Sequence, residues 1–391
     1  VLLRLQTEML EPQTYAQLAL AMTLFSFGQV CIYGALNHGI LRFFALAPRF
    51  GGYGAYRRYI TSQLIRVSLL WTGAVLALAA FMQSLGQTGT TMLIMIVLPY
   101  SVLNGGLSAL IAYGNASRAR RAVALHQGLD TGLKITVLVL LTVPFTASVP
   151  LIFAAYATAS LLTLGSLILW LKPWRLDAPS APGQIAPVFR QFSGPIYLLA
   201  PFTWGLLVAD RWALQSFADP AALALYAVAA QMTLGPARVG MSAVLRFLAP
   251  RLFDQMESDK SAALRDVHKL TRLALLLTLL GWAATMILQT PISHLLLAPA
   301  YWDASTLLPW LVLVAGLTAS AELVVLRLFG TLDSAALMRP RIPTAVLGIT
   351  LVFWGAWQFG VTGVIAAQIT QSGIYLVWAM ARAGFWSAQP A

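Results

Sequence analysis

In the stretch RRAVALHQGLDTGLKITVLVLL, His126, Asp130 and Lys134 fall at i, i+4 and i+8, a spacing that stacks all three on one face of a helix. A charge in so apolar a helix costs roughly 2.5–3.5 kcal/mol at membrane depth, so each such residue needs a partner or a purpose. Two readings stay open. Asp130 and Lys134 can neutralise each other against neighbouring helices, or the face can line a watery cavity where Lys134 meets an anion. A second constellation lies in the apolar run 222–247, where Gln231, Arg238, Ser242 and Arg246 share roughly one stripe. Arg238 has no acidic residue within one turn, so its partner is Glu322 of the run 305–328, water or a ligand. The planar guanidinium fork suits phosphate. Arg42, at the end of an earlier run, belongs with these cations. Glu322 and Asp130 are the candidates for coupling to a proton or sodium ion.

Milder polar groups follow the same periodicity. Ser26, Gln29, Tyr33 and Asn37 lie along one face of the first run, and Gln368, Gln371 and Tyr375 along one face of the last. Such groups more often tie helices together than bind solute, although sugar hydroxyls would suit the same mixture of amides and aromatics. No phosphate-binding G-x-x-x-x-G-K-[ST], no G-x-S-x-G and no H-E-x-x-H is present, so the residues give no sign of an enzyme. The single Cys31 excludes a disulfide framework, and the histidines have no metal-ligand spacing, so no cofactor is expected.

The elements that carry these groups follow from composition. Hydrophobic residues make up 59% of the 391 and charged residues 10%, far from the roughly 45–50% and 25% of soluble domains. Long apolar runs bounded by charge, Pro or Gly predict eleven membrane-crossing helices over 16–41, 63–83, 90–113, 121–143, 149–171, 192–209, 222–247, 272–293, 305–328, 342–358 and 361–381. Period-2 alternation is absent, which argues against a barrel.

Placing these spans in alternation puts all but four of the 25 basic residues on one side, the exceptions being Arg4, Arg211, Lys134 and Arg238. The positive-inside rule makes that side cytoplasmic, with the C-terminus there too. The net charge of +12 then reflects topology rather than a nucleic-acid surface. LRFFALAPRF at 41–50 returns as LRFLAPRLF at 245–253, and YAQLALAMTL at Tyr15 returns as YAVAAQMTL at Tyr226. Such an offset of about half the chain indicates two related halves. VLLRL at the start reads as the end of a helix whose beginning is absent, so the expected whole has twelve spans. The expected domains are an N-terminal bundle at 1–171 with its first helix truncated, a Pro-rich cytoplasmic linker at 172–191 and a C-terminal bundle at 192–391. The segment QIAPVFRQF is expected along the membrane surface, and FDQMESDKSAALRDVHKL as a short surface helix.

The run FSGPIYLLAPFTWGLLVADRWALQSFADPAALALYAVAAQM resembles the seventh and eighth helices of bacterial polysaccharide-biosynthesis flippases. Asp210 and Arg211 match that family's Asp-Arg pair, and Tyr226 with Ala227 its Tyr-Ala start. The P-x-x-Y-A before the first run with Arg42 and Phe43, LAPAYWDASTLLPWLVLVAG and FGVTGVIAAQITQSGIYL extend the likeness along nearly the whole chain. The resemblance implies an all-α integral membrane protein of two pseudo-symmetric six-helix bundles in a V, in the superfamily that also holds the multidrug exporters and the peptidoglycan-precursor flippase. It implies translocation of undecaprenyl-pyrophosphate-linked oligosaccharide across the bacterial inner membrane by alternating access. The substrate is expected to meet Arg238, Lys134, Arg42, Arg246, Asp130 and Gln231. Membrane lipids, a polysaccharide polymerase and chain-length regulators are the expected partners. A multidrug or cation antiporter of the same fold, and a non-transporting assembly scaffold, are the competing readings.

Overall fold

The computed structural model describes the backbone of residues 1–142, 144–172, 185–258, 260–330, 334–383 and 385. Side chains at 50, 246–247, 249–251, 253–258, 260–264, 326–330 and 334–341 lie outside the described set. The described residues are helical almost throughout, as uninterrupted apolar runs require when no water is at hand to satisfy backbone groups. Short α1 (Leu2–Met9) precedes α2 (Pro12–Phe27), which continues through a π-helical segment, Gly28–Tyr33, into α3 (Gly34–Phe44). There follow α4 (Gly52–Ser84), α5 (Thr88–Ala116), α6 (Arg120–Thr142) and α7 (Val149–Leu171). The remainder comprises α8 (Ile185–Phe217), α9 (Pro220–Ser258), α10 (Lys260–Leu296), a 3-10 segment (Pro299–Leu307), α11 (Leu308–Gly330) and α12 (Ser334–Arg382).

Among the described residues, nine helices have the length and apolar character to cross a membrane. α9 is not among the nine, and α12 counts once although Gly360 breaks it with φ 57° and ψ −134°. With α9 added and α12 divided, each of the eleven expected spans has its helix. Gly360 occupies the gap left between the runs 342–358 and 361–381, in a conformation that only glycine adopts without strain. The bend brings Gly363 back against Gly355, whose own Cβ, were there one, would lie 2.5 Å from the Gly363 carbonyl oxygen.

Several helices outrun the expected spans. α4 begins at 52 rather than 63, and α8 runs 185–217 rather than 192–209. Hydropathy marks only the stretch within hydrocarbon, whereas helical hydrogen bonding continues into the basic ends. Residues 185–192 of QIAPVFRQF are therefore the opening of α8. The side chains of 253–264, where a short surface helix was expected, are outside the described residues, as is the linker at 173–184.

Contacts divide the chain into two compact units, Gln17–Trp204 and Val1–Ala16 with Gly205–Ala391. Relative to the expected 1–171 and 192–391, the first sixteen residues group with the C-terminal helices, and 185–204 with the N-terminal ones. In the N-terminal unit α5 packs on α3, α4 and α7, and α6 on α7. Its core includes Tyr100, stacked on Phe25 at 4.3 Å and edge-on to Phe153 at 5.9 Å. In the C-terminal unit α11 packs on α9, α10 and α12. There Tyr301 donates to the Leu10 carbonyl at 2.8 Å, and the Ala298 amide donates to Thr7 at 3.2 Å, so the opening residues are stapled to the 3-10 segment.

Candidate functional site

In each unit a largely enclosed carboxylate, Asp130 in one and Asp210 in the other, has its own set of donors. In the N-terminal unit, α6 turns Val123, His126, Asp130, Lys134 and Leu138 inward and exposes most of the rest. Lys134 Nζ donates to Asp130 Oδ2 at 2.5 Å, and both side chains are 14% exposed. Ser160 of α7 donates to Asp130 Oδ1 at 3.3 Å, and Asn104 of α5 donates to Ser160 at 3.4 Å. The ammonium also lies 5.3 Å from the centroid of Tyr100 and 5.8 Å from that of Tyr156, within cation–π range of both. Of the two readings of this face, the geometry matches the self-neutralising pair, held in an aromatic box. His126 is 1% exposed, with Nδ1 2.7 Å from the Ala122 carbonyl and Nε2 3.1 Å from Ser166 Oγ. It ties α6 to α7. Among the described residues no three His, Cys, Asp or Glu side chains gather as metal ligands.

In the C-terminal unit, Asp210 is 3% exposed and uses both carboxylate oxygens. Oδ1 accepts from the Arg211 amide at 2.7 Å and from Arg211 Nη1 at 3.1 Å. Oδ2 accepts from the Tyr226 hydroxyl at 2.6 Å and from Gln368 Nε2 at 3.1 Å. One carboxylate thereby joins α8, α9 and α12. Gln368 entered the sequence reading only as part of a polar stripe; a lone amide in an apolar helix was the available signal, but its partner is 158 residues away. Tyr100 and Tyr156 gave no signal at all, because tyrosine in such runs counts as apolar.

The remaining expected residues separate into engaged and open. Gln231 accepts from the Tyr15 hydroxyl at 3.2 Å. Glu322 accepts from Tyr375 at 3.3 Å. Arg238 is exposed and makes no hydrogen bond or ion pair to any described residue, and Arg42 is exposed in the N-terminal unit. The side chain of Arg246 is outside the described residues. Lys134 and Arg42 belong to one unit, Arg238 and Gln231 to the other. The polar stripe of the first run ties helices together: Gln29 donates to the Ser101 carbonyl at 3.2 Å, Tyr33 bonds Ser68 at 3.0 Å, and Asn37 donates to Ser108 at 3.1 Å. Ser26 accepts from Trp204 at 3.1 Å.

Among the described residues, nine helices long and apolar enough to cross a membrane, grouped in two compact units, describe a multi-pass membrane protein. No family model matches the chain, and no curated protein matches it. Solved structures do. An inward-facing multidrug resistance MATE family transporter of the MOP superfamily aligns over 98% of this chain and 94% of its own, with a TM-score of 0.73 at 15% identity. The lipid II flippase MurJ in an inward closed conformation aligns over 95% and 81%, with a TM-score of 0.67 at 15% identity. A MATE transporter in a straight conformation aligns over 97% and 98%, with a TM-score of 0.57 at 14% identity. The chain therefore has the all-helical fold common to the MATE transporters and MurJ, the fold that the sequence resemblance implied.

Proposed function

We propose that this protein is a flippase for undecaprenyl-pyrophosphate-linked oligosaccharide, moving it from the inner to the outer leaflet of a bacterial inner membrane by alternating access, with a cytoplasmic C-terminus. The observation that carries this reading is the division between engaged acids and open bases. Asp130 is held by Lys134 and Ser160, and Asp210 by Arg211, Tyr226 and Gln368, so neither is vacant to attract a cationic drug. Arg238, by contrast, presents an unengaged fork to its surroundings. An arginine that forms no ion pair with a carboxylate among the described residues suits a diphosphate, to which it can donate two parallel hydrogen bonds. Proton or sodium coupling and association with a polymerase and chain-length regulators belong to the same proposal.

The test is Arg238→Ala in cells that make the cognate surface polysaccharide. Export is expected to stop, lipid-linked intermediates to accumulate on the inner leaflet, and the amount of protein in the membrane to stay as in wild type. Unimpaired export would remove Arg238 from the substrate path. The antiporter reading rests on Glu322, a carboxylate within an apolar span. It predicts that Glu322→Gln lowers tolerance to toxic organic cations while polysaccharide export continues.

A further inference from the structure

The N-terminal unit carries a second cationic cluster, apart from Lys134 and Arg42, on α4 and the opening of α8. On α4, Tyr59, Ser62 and Arg66 stand at i, i+3 and i+7; on α8, Arg190, Ser193 and Tyr197 repeat that spacing with the arginine and tyrosine exchanged. Each trio shares one helix face. The Phe189 ring meets the Tyr59 ring edge-on, with centroids 5.4 Å apart, which sets the two trios side by side. Arg190 directly follows Phe189 in α8, and so stands beside Tyr59. The charges of Arg66 and Arg190 both act on the Tyr59 hydroxyl, and Tyr59 acts in turn on Tyr197.

Ser62 donates to the Tyr59 carbonyl at 2.7 Å, but the two guanidinium groups are largely unspent. Arg66 is exposed and makes no hydrogen bond or ion pair to any described residue, while Arg190 makes only a long 3.4 Å contact from Nε to the Ala186 carbonyl. Ser193 is 2% exposed, yet its hydroxyl has no partner, which is costly for a buried polar group. No carboxylate competes, since Asp130 is the one acidic side chain among the described residues of this unit and Lys134 holds it. The flanking positions Ile65, Leu69 and Leu198 are apolar and exposed.

We propose that this patch is a binding site for the phosphate group of a membrane lipid in the leaflet at the basic end. Two guanidinium forks and two phenol hydroxyls supply donors to the phosphate oxygens, and the exposed apolar side chains beside them lie along the lipid's chains. Arginine rather than lysine at both positions fits planar, two-pronged recognition of phosphate. The site does not depend on Arg238 or on the flippase reading, because an ordinary anionic phospholipid and a prenyl diphosphate carry the same recognised group.

The experiment uses the full chain in phosphatidylcholine nanodiscs, titrated in one arm with phosphatidylglycerol and in the other with geranylgeranyl diphosphate, with retained lipid read by native mass spectrometry. Arg66→Gln or Arg190→Gln should weaken retention about fivefold each, and the double variant about 25-fold. A loss confined to the phosphatidylglycerol arm assigns a resident phospholipid, and a loss confined to the diphosphate arm assigns a prenyl-linked ligand. The Arg66→Lys, Arg190→Lys pair keeps charge and loses the fork, and should fall between the two. If the double glutamine variant, eluting as a single species, holds both lipids as wild type does, or if wild type retains neither, there is no such site.

Discussion

Replacing Asp210 by Ala tests whether the C-terminal unit is held together at its centre by charge. The carboxylate is 3% exposed and accepts four hydrogen bonds from α8, α9 and α12. Its removal leaves the Tyr226 hydroxyl without the acceptor at 2.6 Å and strands a guanidinium that is 19% exposed. Breaking a buried ion pair from one side costs about 3–5 kcal/mol, chiefly through the charge left behind. For a cooperative unit of roughly 200 residues each kcal/mol lowers the melting temperature by about 2–4 °C, so the fall should be on the order of 10 °C. Tyr226→Phe removes only one charge-assisted bond, worth about 1.5–3 kcal/mol, and should melt between the variant and wild type. The assay is intrinsic tryptophan fluorescence on heating in a mild detergent. An Asp210→Ala protein that melts within a degree of wild type would refute the account, since a spectator carboxylate would cost nothing to remove.

Two other perturbations separate packing from function. Lys134→Met leaves Asp130 charged and boxed without its cation, and should lose about 3–5 kcal/mol, whereas Asp130→Leu with Lys134→Met should recover most of that loss in the same melting assay. Gly363→Ala drives a methyl group into the Gly355 carbonyl, which is backbone and cannot turn aside, so a loss of about 1–3 kcal/mol or more is expected, read as reduced membrane yield and an earlier melt.

How much of this was legible before the structure varies by level. Membrane spans declare themselves through local composition, and the segregation of arginines constrains all of them together. Gly360 falls in the gap between the last two runs for that reason. Helix ends did not follow, because α4, α8, α9 and α10 continue beyond hydrocarbon where hydropathy carries no information. The Asp130–Lys134 pair was readable as one of two alternatives because both partners sit on a single turn. The Asp210 hub was not, since Tyr226 and Gln368 reach it from distant helices and nothing in either local sequence names the other. Likewise the facing trios around Tyr59 and Arg190 are separated by more than a hundred positions. Only the edge-on rings of Tyr59 and Phe189 reveal them.

Because Gly355 and Gly363 meet backbone to backbone, the two limbs of α12 have no side chain to repack at that point of contact. A joint of that kind transmits force like a welded bracket. The Gln368 amide, on one limb, is anchored to Asp210, while Trp354 and Trp357, on the other, are largely exposed. A displacement of that exposed indole face is therefore expected to reach the buried carboxylate through the glycine contact and the Gln368 amide.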